Sequence, residues 1–176
     1  MKLLKQIYEK ATKKTAPYYF EYSILTIIGK PIRKFVVQVI TPNCPFNNIR
    51  ILLYRLCGFK IGKKCFIGMK CYLDDMCYEL LKIGNNVTIS YGVYFACHGK
   101  GQGHLPIIIE DEVYIGMRAC VISKNSEKLG GGVHIKRKAI IGACTLVNKD
   151  IPEGATAVGI PCKIIEMPDL DRIIET

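Results

Sequence analysis

The stretch 95–104, FACHGKGQGH, holds two of the chain's three histidines, His98 and His104, with Gly99, Gly101 and Gly103 between them. A neutral imidazole accepts a proton near neutral pH, since its ordinary pKa is about 6.5, so either ring is a candidate general base. With His134 as a third donor, the pair could instead ligate zinc. The glycines fit neither G-x-x-x-x-G-K-[ST] nor G-x-G-x-x-G, so a phosphate cradle has little support. Cys97 offers a nucleophile beside His98. Neighbours on an extended chain point to opposite sides, however, so the two are not expected to face one reacting atom. Asp74 and Asp75 are adjacent carboxylates that could hydrogen-bond a hydroxyl, orient an imidazole, or cap backbone amides at a turn.

What these residues can do depends on the elements that hold them, and those follow a period of six. From residue 61 an aliphatic or aromatic side chain recurs as Ile61, Ile67, Leu73; Ile83, Ile89, Phe95; Ile109, Ile115, Val121; and Ile135, Ile141, Val147. A small or β-branched residue follows four places after most of them, as at Cys65, Cys71, Cys77, Val87, Val93, Val113, Ala119, Ala139 and Thr145. Neither a helix nor an indefinitely alternating strand has this period. It suits short strands that each end in a corner, three to a triangular coil, with coils stacked so that the aliphatics form a continuous interior column. Glycine after the aliphatic is expected to ease each corner. The coils begin at 61, 83, 109 and 135, so all residues in excess of 18 fall after the third hexad. The loops therefore project from one edge, and FACHGKGQGH begins one of them; KNSEKLGGGVH (124–134) belongs to the next. Long loops on a rigid scaffold are where function concentrates.

Composition agrees with one globular unit of 176 residues, with 49% hydrophobic and 23% charged residues. The nine cysteines are odd in number and no export signal is evident, so they are expected as free thiols, with Cys65, Cys71 and Cys77 filling the small inward position. Of the net charge of +10, residues 1–40 contribute eight Lys or Arg against Glu9 and Glu21. Such a segment suits anionic lipid, nucleic acid or a phosphorylated substrate, or simply a solvated face. The apolar run 22–40 is interrupted by Lys30, Pro31, Arg33 and Lys34, so it does not read as a transmembrane helix. Residues 2–14 and 18–40 read as helical, with breaks at Pro17 and Pro31. Residues 47–58 read as a short helix capped by Asn47 or Asn48, its stripe of Ile49, Leu52, Leu53 and Leu56 plugging the open end of the coils.

The twelve hexads, with the closing run Gly159-Ile160-Pro161-Cys162-Lys163, resemble the hexapeptide-repeat acyltransferases, above all the maltose- and galactoside-type sugar O-acetyltransferases, and the resemblance covers roughly residues 47–165. The resemblance implies an all-β core, a left-handed parallel β-helix of about four to five triangular coils, with N-terminal helices and a short C-terminal helix. The divisions expected are a helical segment over 1–58, the β-helix over 59–165 and a helical tail over 166–176. The handedness comes from the resemblance alone, since physics favours right-handed crossovers.

The resemblance also implies chemistry: acetyl-CoA-dependent transfer of an acetyl group to a sugar hydroxyl, as on a surface-polysaccharide precursor. Gly92-Val93-Tyr94-Phe95-Ala96-Cys97-His98 is similar to the run that leads to the family's catalytic histidine, which makes His98 the expected general base. Backbone N–H groups at a corner would stabilise the oxyanion. Asp74 and Asp75, with Asp75 the closer match, together with His104 and Tyr91, are the expected acceptor-binding residues. Gly116, Met117, Arg118, Ala143, Asn148, Lys149 and Lys163 are the expected acetyl-CoA contacts, and no metal is expected. A homotrimer with sites shared between neighbours is implied. The acceptor is expected to be a saccharide or another small molecule, with no nucleic acid as partner. The expected location is cytoplasmic, with residues 1–40 available for peripheral contact at the inner membrane face. N-acetylation of an amino sugar and a serine-acetyltransferase-like activity stay open as alternatives. A zinc-dependent γ-carbonic-anhydrase-like protein fits less well, because there the close histidine pair follows the distant one.

Overall fold

The computed structural model describes residues 2–13, 15, 24–99, 103–123 and 131–165. The helices α1 (Lys2–Thr12) and α2 (Ile24–Phe35) lead into a π-helical turn (Val36–Ile40), the single turn α3 (Thr41–Asn43) and α4 (Asn47–Leu56). Fifteen short strands follow among the described residues, and most of them form a parallel β-helix with three walls. On the first wall, β1 (Lys60–Ile61), β3 (Leu81–Ile83), β8 (Ile107–Ile109) and β11 (Val133–Ile135) stack Ile61, Ile83, Ile109 and Ile135 in register. The second wall joins β2 (Phe66–Ile67), β4 (Thr88–Ile89), β9 (Tyr114–Ile115), β12 (Ile140–Ile141) and β14 (Thr156–Val158). Its last strand, β15 (Lys163–Ile165), turns back antiparallel to β14. The third wall is β5 (Tyr94–Ala96), β10 (Cys120–Ile122) and β13 (Leu146–Val147), with Tyr72 bridging to Tyr94. A two-stranded hairpin, β6 (His98–Gly99) and β7 (Gly103–His104), projects between the third wall and the next strand of the first.

The hexad aliphatics are the core. All twelve are buried except Ile61, which is half-buried in the first coil. Each such side chain contributes about 1.5–3 kcal/mol on leaving water, so the column is the main source of stability. Cys65, Cys71 and Cys77 are buried free thiols within it, as their spacing predicts.

The glycines do a different job from the one expected. On the first two walls the left-handed corner residue is the fourth of the hexad, and it is Lys64, Lys70, Asn86, Glu112, Arg118, Lys138 or Cys144 at φ 54–63°, with glycine at Gly92 and, in the closing coil, at Gly154. Glycine directly after the aliphatic has instead no room for a Cβ. At Gly62 it would sit 2.2 Å from the carbonyl oxygen of Gly84, and at Gly116 2.6 Å from the amide nitrogen of Ala143. These glycines let one coil rest on the next.

At the N-terminal end, α2 runs through Pro31 to Phe35 rather than breaking there. A proline removes one helical hydrogen bond, but the residues beyond it are tied to the β-helix. Arg33 Nη2 donates to the carbonyl of Asp75 at 3.1 Å, its guanidinium lies 4.0 Å over the ring of Tyr78, and Val37 is buried. Helix α4 covers the open coil, but with another face than its apolar spacing suggests. Arg50, Ile51 and Tyr54 are buried, while Ile49, Leu52 and Leu56 are exposed. Asn47 does not cap the helix; its amide accepts from Ile67 N–H and donates to the carbonyl of Cys65. Arg50 Nε donates to the carbonyl of Ile67 at 2.6 Å, and Arg55 Nε to that of Ile61 at 3.1 Å. An open strand edge needs its carbonyls satisfied, and polar side chains of α4 meet that need better than a leucine stripe would. The expected tail over 166–176 lies outside the described residues.

Candidate active site

Loops leave the prism where the third wall meets the first. In the first coil this segment begins with Asp74 and Asp75, and in the second with Cys97 and His98. Asp74 is fully buried. Its Oδ1 accepts the amides of Met76 (3.1 Å) and Cys77 (3.3 Å), and its Oδ2 accepts the amide of Cys97 (2.8 Å). The same Oδ2 lies 2.5 Å from Nδ1 of His98, whose ring is partly exposed. The carboxylate thus accepts from three backbone N–H groups and lies against the imidazole. An anionic Oδ2 requires the proton on Nδ1, which leaves Nε2 as the basic atom of the ring. The arrangement is a positioned imidazole suited to take a proton.

Asp75, the closer match in sequence, occupies a different place. Its Oδ1 accepts from Gln38 Nε2 at 2.9 Å, so it anchors the π-helical turn and does not touch His98. Successive residues point apart, and the one-residue difference decides which carboxylate reaches the ring. Cys97 is buried, and burial, reinforced by the nearby Asp74 charge, pushes its thiol up to about 12. It is therefore a packed neutral thiol, not a nucleophile. Cys77 is also buried, and burial, then Asp74 and Asp75, raise its pKa.

Asp74, Cys77 and His98 place three possible metal ligands within 4.8 Å of one another. A metal shared by Nδ1 and Oδ2 would hold these atoms about 3.3 Å apart, and at 2.5 Å they are hydrogen-bonded instead. Among the described residues the three histidines do not come together as one ligand set either. His104 faces His98 across the hairpin, with ring centroids 6.5 Å apart. His134 sits on β11, where its Nε2 lies 2.7 Å from Glu110 Oε1 without hydrogen-bond alignment.

Beside this pair opens a cleft of about 660 Å³ lined by Gly29, Lys30 and Arg33 of α2, by residues 76–80, and by His104. This is within the range of small-molecule sites. The structure thus brings His104 to the cleft. Tyr91 is an exposed corner residue whose carbonyl accepts the amide of Arg118. Gly116, Met117, Arg118 and Ala143 stack near it on the edge between the second and third walls, as the bond from Cys144 N–H to the carbonyl of Met117 shows. Asn148 and Lys149 follow β13, on the His98 edge, and Lys163 is exposed on β15 opposite Val158. One prism therefore divides the expected acetyl-CoA contacts between two edges. Arg33, Gln38 and Tyr78 escaped the sequence reading; Arg33 and Gln38 meet Asp75 across 42 and 37 residues, and no local pattern announces this.

No family model matches the chain. YvoF, an inferred acetyltransferase of Bacillus subtilis (strain 168), is 31% identical over 146 residues, covering 77% of each protein. A serine acetyltransferase of Bacillus licheniformis is 37% identical over 110 residues, 61% of this chain and 45% of that enzyme, so the chain spans less than half the length of this relative. A solved maltose O-acetyltransferase from Clostridium difficile 630 has the same fold, with a TM-score of 0.60 over 90% of this chain and 95% of that one, at 22% identity. The repeat, the three-walled β-helix and the YvoF likeness together place the chain in a family: it belongs to the hexapeptide-repeat acyltransferases.

Proposed function

We propose that the protein is an acetyl-CoA-dependent O-acetyltransferase acting on a sugar hydroxyl, with His98 as general base, on a β-helix wound left-handedly as the family resemblance implies. The observation that supports it most is the buried Asp74, held by three backbone amides and 2.5 Å from His98 Nδ1. As the acceptor oxygen attacks the thioester carbonyl carbon, its proton passes to His98 Nε2. The C–S bond then breaks, and the same proton returns to the departing thiolate. Asp74 positions the ring and stabilises its charged form; such a base is worth roughly 10²–10⁴ in rate. The adjoining cleft favours a saccharide, because polar Lys30, Glu79 and His104 line it together with Tyr78, in a space larger than a small amino acid needs.

A homotrimer, located in the cytoplasm, belongs to the same proposal. Phe66, Tyr114, Ile140 and Ile165 are exposed in one register column along the second wall, with Thr88 and Thr156 between them, and this surface would suit packing against a second prism. A neighbour would also bring its Met117–Ala143 edge toward the His98 edge and reunite the two halves of the acetyl-CoA contacts.

Acetylation of serine is the second reading, favoured by the Bacillus licheniformis relative. One assay separates the readings: CoA release from acetyl-CoA over neutral sugars, amino sugars and L-serine, with the products weighed by mass spectrometry and treated with mild alkali. Alkali-labile acetyl on a sugar, from a protein of trimeric mass by light scattering, is expected. Alkali-stable acetyl would indicate an amide and hence the amino-sugar alternative, and release with L-serine alone would contradict the saccharide reading.

A further inference from the structure

We propose that the outward face of α2, the π-helical turn and α4 docks on the surface of an anionic phospholipid bilayer. Ile32, Phe35, Val39 and Ile40 are exposed along α2 and the π-helical turn, and Phe46, Ile49, Leu52 and Leu56 at the start of and along α4, each by 45–74%. The spacings 32, 35, 39 and 49, 52, 56 are those of one helical stripe. They point outward because the opposite faces are already committed: Arg33 and Gln38 to Asp75, and Arg50, Ile51 and Tyr54 to the first coil.

Charge identifies the occupant. Residues 22–73 contain nine Lys or Arg and no Asp or Glu, whereas residues 74–176 contain eleven against thirteen. Exposed Lys34 adjoins Phe35, and Arg55 and Lys64 line a shallow cleft with Leu52. Apolar stripes bordered by cations are the composition of helices that lie in a bilayer interface and are drawn to acidic headgroups. An identical patch on a second copy is a poor occupant, since apolar stripes bordered by exposed Lys34, Arg55 and Lys64 bring like charges together. Among the described residues no helix is long and apolar enough to cross a membrane, so the contact is peripheral. The same α2 lines the cleft beside His98 through Lys30 and Arg33, and docking would set that cleft at the lipid surface. The docking stands on this face alone, whatever reaction the cleft supports.

The test is co-sedimentation of the full chain with vesicles rich in phosphatidylglycerol and with vesicles of phosphatidylcholine alone. The wild type is expected to bind the anionic vesicles about tenfold or more tightly than the neutral ones, and to be released as salt screens the charges. The combined variant Ile49→Ser, Leu52→Ser, Leu56→Ser is expected to weaken binding about tenfold or more while its thermal melt and its CoA release with a soluble acceptor stay unchanged. A wild type that stays in the supernatant, or a variant that binds as tightly as wild type, would overturn the proposal. So would a variant that changes only the oligomeric mass, which would give the face to a second copy. Loss of CoA release in every protein tested would sink the proposed reaction and leave the vesicle result standing.

Discussion

At the scale of residues, one carboxylate oxygen decides the chemistry. Oδ2 of Asp74 takes both the Cys97 amide and the His98 ring, and so fixes which imidazole nitrogen is basic. Asp74→Asn tests this. An amide nitrogen in place of Oδ2 donates toward Nδ1, moves the ring proton to Nε2 and removes the base, and it also meets the Cys97 N–H donor to donor. We expect kcat to fall by a large part of the ~10²–10⁴ that a general base supplies, with the KM for acetyl-CoA nearly unchanged. Asp75→Asn weakens only the hold on Gln38 and is expected to spare kcat; equal losses in the two variants would contradict these roles. The sequence shows both aspartates and all three histidines but cannot rank Asp74 above Asp75. Neighbouring positions differ by a reversal of direction, and the partner of each comes from elsewhere in the chain.

At the scale of elements, the hexads were fully legible and α4 was not. A period of six is a local signal, and every aliphatic it marks from Ile67 to Val147 is buried. Helical periodicity shows that a stripe exists but not which side faces the protein. In α4 the stripe of Ile49, Leu52 and Leu56 faces away, because the first coil presents bare carbonyls and Arg50 and Asn47 satisfy them. Ile51→Ala is therefore expected to cost about 2–5 kcal/mol. Leu56→Ser, at 74% exposure, is expected to stay within about 0.5 kcal/mol of wild type. Chemical denaturation of the two variants checks this, and a reversed order would mean that α4 sits the other way round. The corner glycines teach the same lesson: the sequence marks where they fall, while only the stacked coils show that Gly62 and Gly116 are there for closeness and not for a left-handed turn.

At the scale of the whole molecule, the β-helix is a prism that delivers one loop edge, while α4 covers its open end and α2 walls the cleft. Arg33 and Gln38 hold the two parts together through Asp75, so the cleft belongs to both. This joint was illegible in the sequence because its members are 37 and 42 residues apart and are ordinary polar side chains. The prism itself was legible, since a repeat declares itself many times over. The central claim is that this edge transfers acetyl groups with His98 as base. The most direct measurement is single-turnover CoA release by His98→Ala beside wild type, at saturating acetyl-CoA and with the best acceptor from the panel. The account predicts a rate lower by roughly 10²–10⁴ with the fold and oligomeric mass intact; a variant that released CoA at the wild-type rate would contradict it.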